Sequence, residues 1–287
     1  MKSLTLFLII ALSLSPLSFA FDDEHHHFDP NEKLGTVSFP TSCAPAVQKS
    51  FERGVALLHS FAYEEANNQF QEIAQADPRC AMAYWGRAMS LFHQLWSRPT
   101  DADLKQGTSL IQKGQSLKAK TQRERDYIGA LAAFYAGKGE YDDQLHAYAK
   151  ATARLFEKNP QDHEAAVFYA LSLLSSADGD EIENSRKAIS ILNNLFKIEP
   201  DHPGVAHYLI HACDKPQFAQ EGLAAARLYA GIAPSSAHAL HMPSHIFARL
   251  GLWQDDIQSN LAAIEAARKH SPNFEHMMHH RIHSLDF

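Results

Sequence analysis

An all-α solenoid of about six helical hairpins is the fold class this sequence predicts, and three observations predict it. The apolar spacing turns helical at Ala46, after a stretch that has none. Prolines at Pro78, Pro160, Pro200, Pro234 and Pro272 then punctuate the chain where helix pairs end. Small and large residues also recur in fixed order, as in Gly54-x2-Leu57, Ala66-x3-Phe70 and Pro78. A small residue on each helix lets two helices approach closely, and large residues fill the seam between them.

The chain has 287 residues, 45% of them hydrophobic and 21% charged, as in a folded soluble protein. Its net charge of −7 argues against broad electrostatic attraction to nucleic acid. The 18 histidines exceed what packing asks for. Residues 1–20 are expected to be a secretory signal: Lys2, an apolar run from Leu4 to Leu14, and a Ser18-Phe19-Ala20 cleavage site. That run is shorter than the ~20 residues a membrane span needs, and no later segment supplies one. The mature chain is therefore expected in the bacterial periplasm or secreted, where a disulfide is permitted. Residues 21–45 read as an extended lead-in; its His25-His26-His27 run is a solvated tail able to catch metal weakly. The solenoid is expected over 46–287.

Hairpin by hairpin, the first carries Gly54 and Phe70. Ala83 to Leu95 then pairs with Leu104 to Leu117, and Thr121 to Ala136 with Tyr141 to Lys158. His163 to Ser175 pairs with Ile182 to Ile198, and Val205 to Cys213 with Phe218 to Ile232. Ala237 to Leu250 pairs with Trp253 to His270. Phe274 to Phe287 reads as a first helix without its partner, so the chain is expected to be truncated there or a fragment.

The order and spacing of Gly54, Leu57, Ala66, Phe70 and Pro78 resemble the tetratricopeptide repeat of about 34 residues. The runs Ala56 to Phe61, Asp77 to Gly86 and His238 to Phe247 resemble those of exported bacterial tetratricopeptide-repeat proteins of undefined function. The resemblance implies first helices that line a concave groove able to take a peptide or protein partner. Aligning the closing prolines sets the register. It sends His207, His211 and Asp214 into the groove from one repeat, and His238, His241, His245 and Arg249 from the next. His241 then lies beside His207, and His245 beside His211, on helices about 8–10 Å apart.

Converging imidazoles with a carboxylate at hand suit Zn²⁺, Cu²⁺, Fe²⁺ or Ni²⁺. Asp214 is either a ligand or the acceptor that fixes an imidazole tautomer. His276, His279, His280 and His283 lie on the next helix and would widen the site. Pro243 kinks the second histidine helix or starts it anew, because it removes an amide and crowds the carbonyl of Ala239. The N-terminal groove is aromatic, with Trp85, Met89, Phe92, His59 and His93. It either accepts an apolar ligand or is covered by inter-repeat packing or the lead-in.

The same register brings Cys43 and Cys80 to one end of successive repeats, close enough for a disulfide. Cys213 reads as a buried free thiol, with soft ligation beside His211 as the alternative. Phosphate loops, nucleophile elbows and paired hydrolytic carboxylates are absent. Three functions stay open: a partner-binding scaffold with a metal site, a metalloenzyme on that scaffold, and a metal-free interaction module.

Overall fold

The computed structural model describes residues 32–137, 139–176, 180–270, 278 and 282–285. The expected signal segment, the His25–His27 run and the histidines at 276, 279 and 280 lie outside these residues. After a 3-10 turn at Pro45–Val47, α-helices follow in pairs: α1 (Gln48–His59) and α2 (Tyr63–Ala76), α3 (Ala81–Ser90) and α4 (Asp101–Ser116), α5 (Gln122–Tyr135) and α6 (Tyr141–Lys158). The series continues with α7 (His163–Ser175) and α8 (Glu181–Phe196), then α9 (Pro203–Cys213) and α10 (Ala219–Ile232). In the last pair the first helix is split into α11 (Ala237–His241) and α12 (Pro243–Arg249), which pack on α13 (Trp253–His270). Each helix packs on its chain neighbours, which is the stacking of a tetratricopeptide-type solenoid.

Local sequence explains the boundaries. Thr100 and Thr121 begin α4 and α5 with reciprocal capping boxes to Asp103 and Glu124. The Phe70 ring of α2 lies between α1 and α3. A methyl group at Gly54 would meet it at 2.8 Å, and one at Gly86 at 2.4 Å. Both distances are closer than a β-carbon tolerates, so the glycines admit the ring. Gly86→Ala is expected to cost about 1–3 kcal/mol by overpacking, read as a lower urea midpoint with unchanged slope.

Helix α3 is shorter than its pattern suggests. It ends at Ser90, and His93 and Leu95 take left-handed φ values of 48° and 59°. Phe92 enters the core beside Phe134, His93 packs on Tyr63, and Trp96 is carried to a distant cluster of histidines.

The lead-in crosses the solenoid. Lys33 exchanges hydrogen bonds with Ser235, and Thr36 donates to the carbonyl of Asp201. Phe39, fully buried, sits 5.2 Å from Phe51, 5.5 Å from Trp85 and 4.9 Å from Tyr127. Arg123 covers the Phe39 ring and donates to the carbonyl of Pro40, and Ser42 donates twice to the Glu124 carboxylate. Cys43 and Cys80 are joined by a disulfide, with Cα atoms 4.8 Å apart.

Of the two readings of the aromatic residues in the N-terminal half, open groove or covered surface, the structure has the covered one. Trp85, Met89, Phe92 and His59 are buried. The lead-in and the return of α1 against α9 close over them. The space left between Leu58, Tyr63, Met89 and Phe92 is about 10 Å³, room for a water at most.

Candidate metal centre

Two histidine triads meet where α9, α11 and α12 come together. The first is His207, His211 and His238; the second is His241, His245 and His283. Four of these rings, His207, His238, His241 and His245, are buried, and His211 and His283 are half-buried. In the first triad, Nε2 of His207 lies 3.0 Å from Nε2 of His211 and 3.0 Å from Nε2 of His238. In the second, Nε2 of His241 lies 3.1 Å from Nε2 of His245. The His283 ring stands 4.4 Å from that of His241.

Outer contacts decide which ring nitrogens carry protons. Nδ1 of His207 donates to the backbone carbonyl of His59 at 2.6 Å, and a carbonyl can only accept. Nδ1 of His245 donates to the Asp214 carboxylate at 2.8 Å. Nδ1 of His241 donates at 2.7 Å to Oδ1 of Asn260, whose amide nitrogen is turned toward Asp256. These three rings, while neutral, therefore face inward with bare Nε2 lone pairs. Orientation of this kind through the outer nitrogen is how proteins hold metal-binding histidines.

Two bare lone pairs 3.1 Å apart repel, and a shared cation turns the contact favourable. Nitrogens bound to one ion at about 2.0–2.1 Å, with right-angle to tetrahedral geometry, stand about 2.9–3.4 Å apart. The observed spacings fall in that range.

An aromatic shell encloses the first triad. Phe61 stacks on His238 and His211 and meets His207 edge-on at 4.4 Å. Tyr229 stacks on His207 at 5.3 Å, and Trp96 stands edge-on to His238 at 4.9 Å. Phe61 follows α1 with φ of 55°, as the left-handed residue of a Schellman turn whose bonds run from Phe61 N to Leu58 O and from Ala62 N to Leu57 O. Glycine normally holds that position, and a bulky ring there costs about 1–3 kcal/mol of backbone strain.

Burial pushes the His207 imidazole down to about 3, despite the bond to the His59 carbonyl. Burial, then the neighbouring His207 and His245, hold His211 well below its usual range. Burial alone would raise the Asp214 carboxyl, but bonds from His245 and Arg249 outweigh it and hold the group low. Burial raises the Cys213 thiol to about 12, so it is a core group and no member of the triads.

Sequence register brings the expected histidines together but mispairs them. His207 meets His238, not His241, and His241 pairs with His245. The pairing is thus shifted by one turn from the expected register, on a first helix that Pro243 divides into α11 and α12 while Met242 keeps helical dihedrals. Asp214 sits outside the triads, between His245 and Arg249. His93, on its positive-φ turn, and Arg249, half-exposed beside Asp214, do not line a continuous groove with the buried aromatics. Sequence reasoning missed Phe61, Trp96 and Asn260 as neighbours of the centre. Aromatic residues at helix ends carry no periodic signal that could have found them.

Fold and site together define a helical-hairpin solenoid with a paired histidine centre at one end. No family model and no curated protein matches the chain. Solved structures similar to it include a double mutant of MamA, 11% identical over 81% of this chain and 100% of that one, with a TM-score of 0.34. YrrB, described as a TPR protein with an unusual peptide-binding site, is 11% identical over 73% of this chain and 96% of its own, with a TM-score of 0.41.

Proposed function

We propose that this chain is a metal-binding solenoid protein whose two histidine triads hold a pair of transition-metal ions, copper or zinc. The observation that carries the reading is the Nε2 atoms of His241 and His245 facing each other at 3.1 Å, with the proton of each neutral ring held on Nδ1 by an acceptor on its far side. The donors are all imidazoles, which suit copper, zinc, iron and nickel; affinity for such sites peaks at copper. An exported, oxidising setting belongs to the same proposal, and the Cys43–Cys80 disulfide supports it. Solenoids in general serve as partner-binding scaffolds. A partner of this chain would meet surfaces other than the filled N-terminal half.

A second reading, metalloenzyme, has one observation in its favour. Among the described residues each triad offers three ligands, the number found in catalytic zinc sites that keep a position for water or substrate.

Metal-free protein titrated with Zn(II), and separately with Cu(I), is expected to retain about two ions per chain. His207→Ala and His241→Ala should each lower this to about one. A wild-type chain that retains neither metal after desalting would sink the reading. Azide binding to the copper(II) form, seen as a new charge-transfer band, would mark the open position that the enzymatic reading needs.

A further inference from the structure

A third cluster lies behind the first triad and is built differently. Glu164, 2% exposed, sits among the buried and mostly apolar residues of α7. Its carboxylate oxygens are taken by Nε2 of His59 and Nε2 of His202, both at 2.9 Å. Nδ1 of His202 accepts the backbone N–H of Val205 as the cap of α9, so its ring proton is on Nε2 and is donated to Glu164. His59 matches it, with the Tyr208 hydroxyl 3.0 Å from Nδ1.

Although these three residues are close enough to share an ion, the proton pattern excludes one. His202 would need both lone pairs at once, which only an imidazolate provides. What remains is a carboxylate with two neutral imidazole donors: a satisfied cluster with one net negative charge in a dry interior. Packing does not require it, since apolar residues of the same volume serve equally well in such places. Burial opposes the charge, yet His59 and His202 hold the carboxyl well below its usual range.

The neighbours of this charge point to its use. The backbone carbonyl of His59 is the group that holds Nδ1 of His207 at 2.6 Å. Tyr208 follows His207 on α9, with their rings 5.1 Å apart. Six neutral imidazoles bring no charge to offset two cations, and Asp214 is already matched by Arg249. Glu164 is a buried anion whose hydrogen-bond partners among the described residues are two imidazoles, and Asp256, held by Asn260 behind His241, is a second buried carboxylate near the triads.

We infer that Glu164 is a positioning and charge-balancing residue of the metal centre: it fixes His59, through which His207 is held, and its buried negative charge favours the more highly charged ion. The inference rests on the two-ion reading above. A unit charge about one ring beyond the ligands, at an effective dielectric of roughly 20, is worth about tenfold in relative affinity.

The test is the midpoint potential of bound copper in the full chain. Glu164→Gln should fold, as judged by circular dichroism, because His59 can reverse its tautomer toward an amide. It should retain the wild-type number of ions while its preference for Cu(II) over Cu(I) falls about tenfold, a rise of ~59 mV for a one-electron couple. Glu164→Asp should return most of that shift. A merely structural glutamate would change melting temperature and leave the potential alone, and an unchanged potential overturns the inference while leaving the centre standing. Wild-type protein that binds no copper overturns the centre and the inference together. Should Glu164→Gln not fold, the carboxyl ¹³C signal of Glu164 in zinc-loaded wild type decides. An ionised carboxylate at pH 6 supports the counter-charge, and a protonated one overturns it.

Discussion

Acidified from pH 7 toward 4, the metal-free chain is expected to lose about 3 kcal/mol through His207 alone, a large share of the net stability of many domains. His59, His207 and His211 are held below the usual histidine value of 6.5, all chiefly by burial, with His207 near 3. Each stays neutral in the fold and takes a proton once unfolded. The unfolded chain thus binds more protons throughout the window below 6.5. Stability is fully present above that value and falls with pH by about 1.4 kcal/mol per unit per group.

Glu164 acts in a lower window. Its stabilisation is complete above the ordinary carboxylate value of 4.5 and is lost only as pH falls further. Bound zinc should move the acid midpoint downward, because ions and protons compete for the same nitrogen lone pairs. Urea unfolding at half-unit steps checks both statements. A midpoint that stays level between pH 7 and 5 in the metal-free chain would count against them.

Severing the link between Cys43 and Cys80 has the second largest expected effect. The two cysteines are 37 residues apart, and a loop of that size corresponds to about 4 kcal/mol in the chain-entropy account, with 2–4 typical of measured cases. The bond also fixes the end of the lead-in, whose Phe39 ring plugs the aromatic core. A Cys43→Ala/Cys80→Ala chain should melt roughly 5–15 °C lower, given about 2–4 °C per kcal/mol at this size. Its capacity for two ions should persist, since none of the triad residues touches the bond. Equal melting temperatures for the two proteins would refute the assignment of the bond as a staple.

Much of this molecule is legible in the sequence because the information is local. The closing prolines and the Gly54–Phe70 seam each act within one repeat, and the hairpins follow from them. The histidines of α9, α11 and α12 are legible for the same reason. The partners of those histidines are not. His59 meets Tyr208 across 149 positions and Glu164 across 105, contacts created by the return of α1 onto α9. No periodicity encodes that closure. The pairing of His207 with His238 likewise depends on how α9 and α11 stack, which no local spacing states.

The lead-in changes how such an array must fold. A solenoid ordinarily assembles from nearest-neighbour contacts and can grow from any repeat. Here Lys33 bonds to Ser235, 202 positions away, and Thr36 to Asp201. Lys33 and Thr36 therefore lack these hydrogen-bond partners until the fifth and sixth hairpins exist. Long-range closure of this kind slows folding and joins the repeats into one cooperative unit. During synthesis, Lys33 and Thr36 wait for partners made some 165 to 202 residues later.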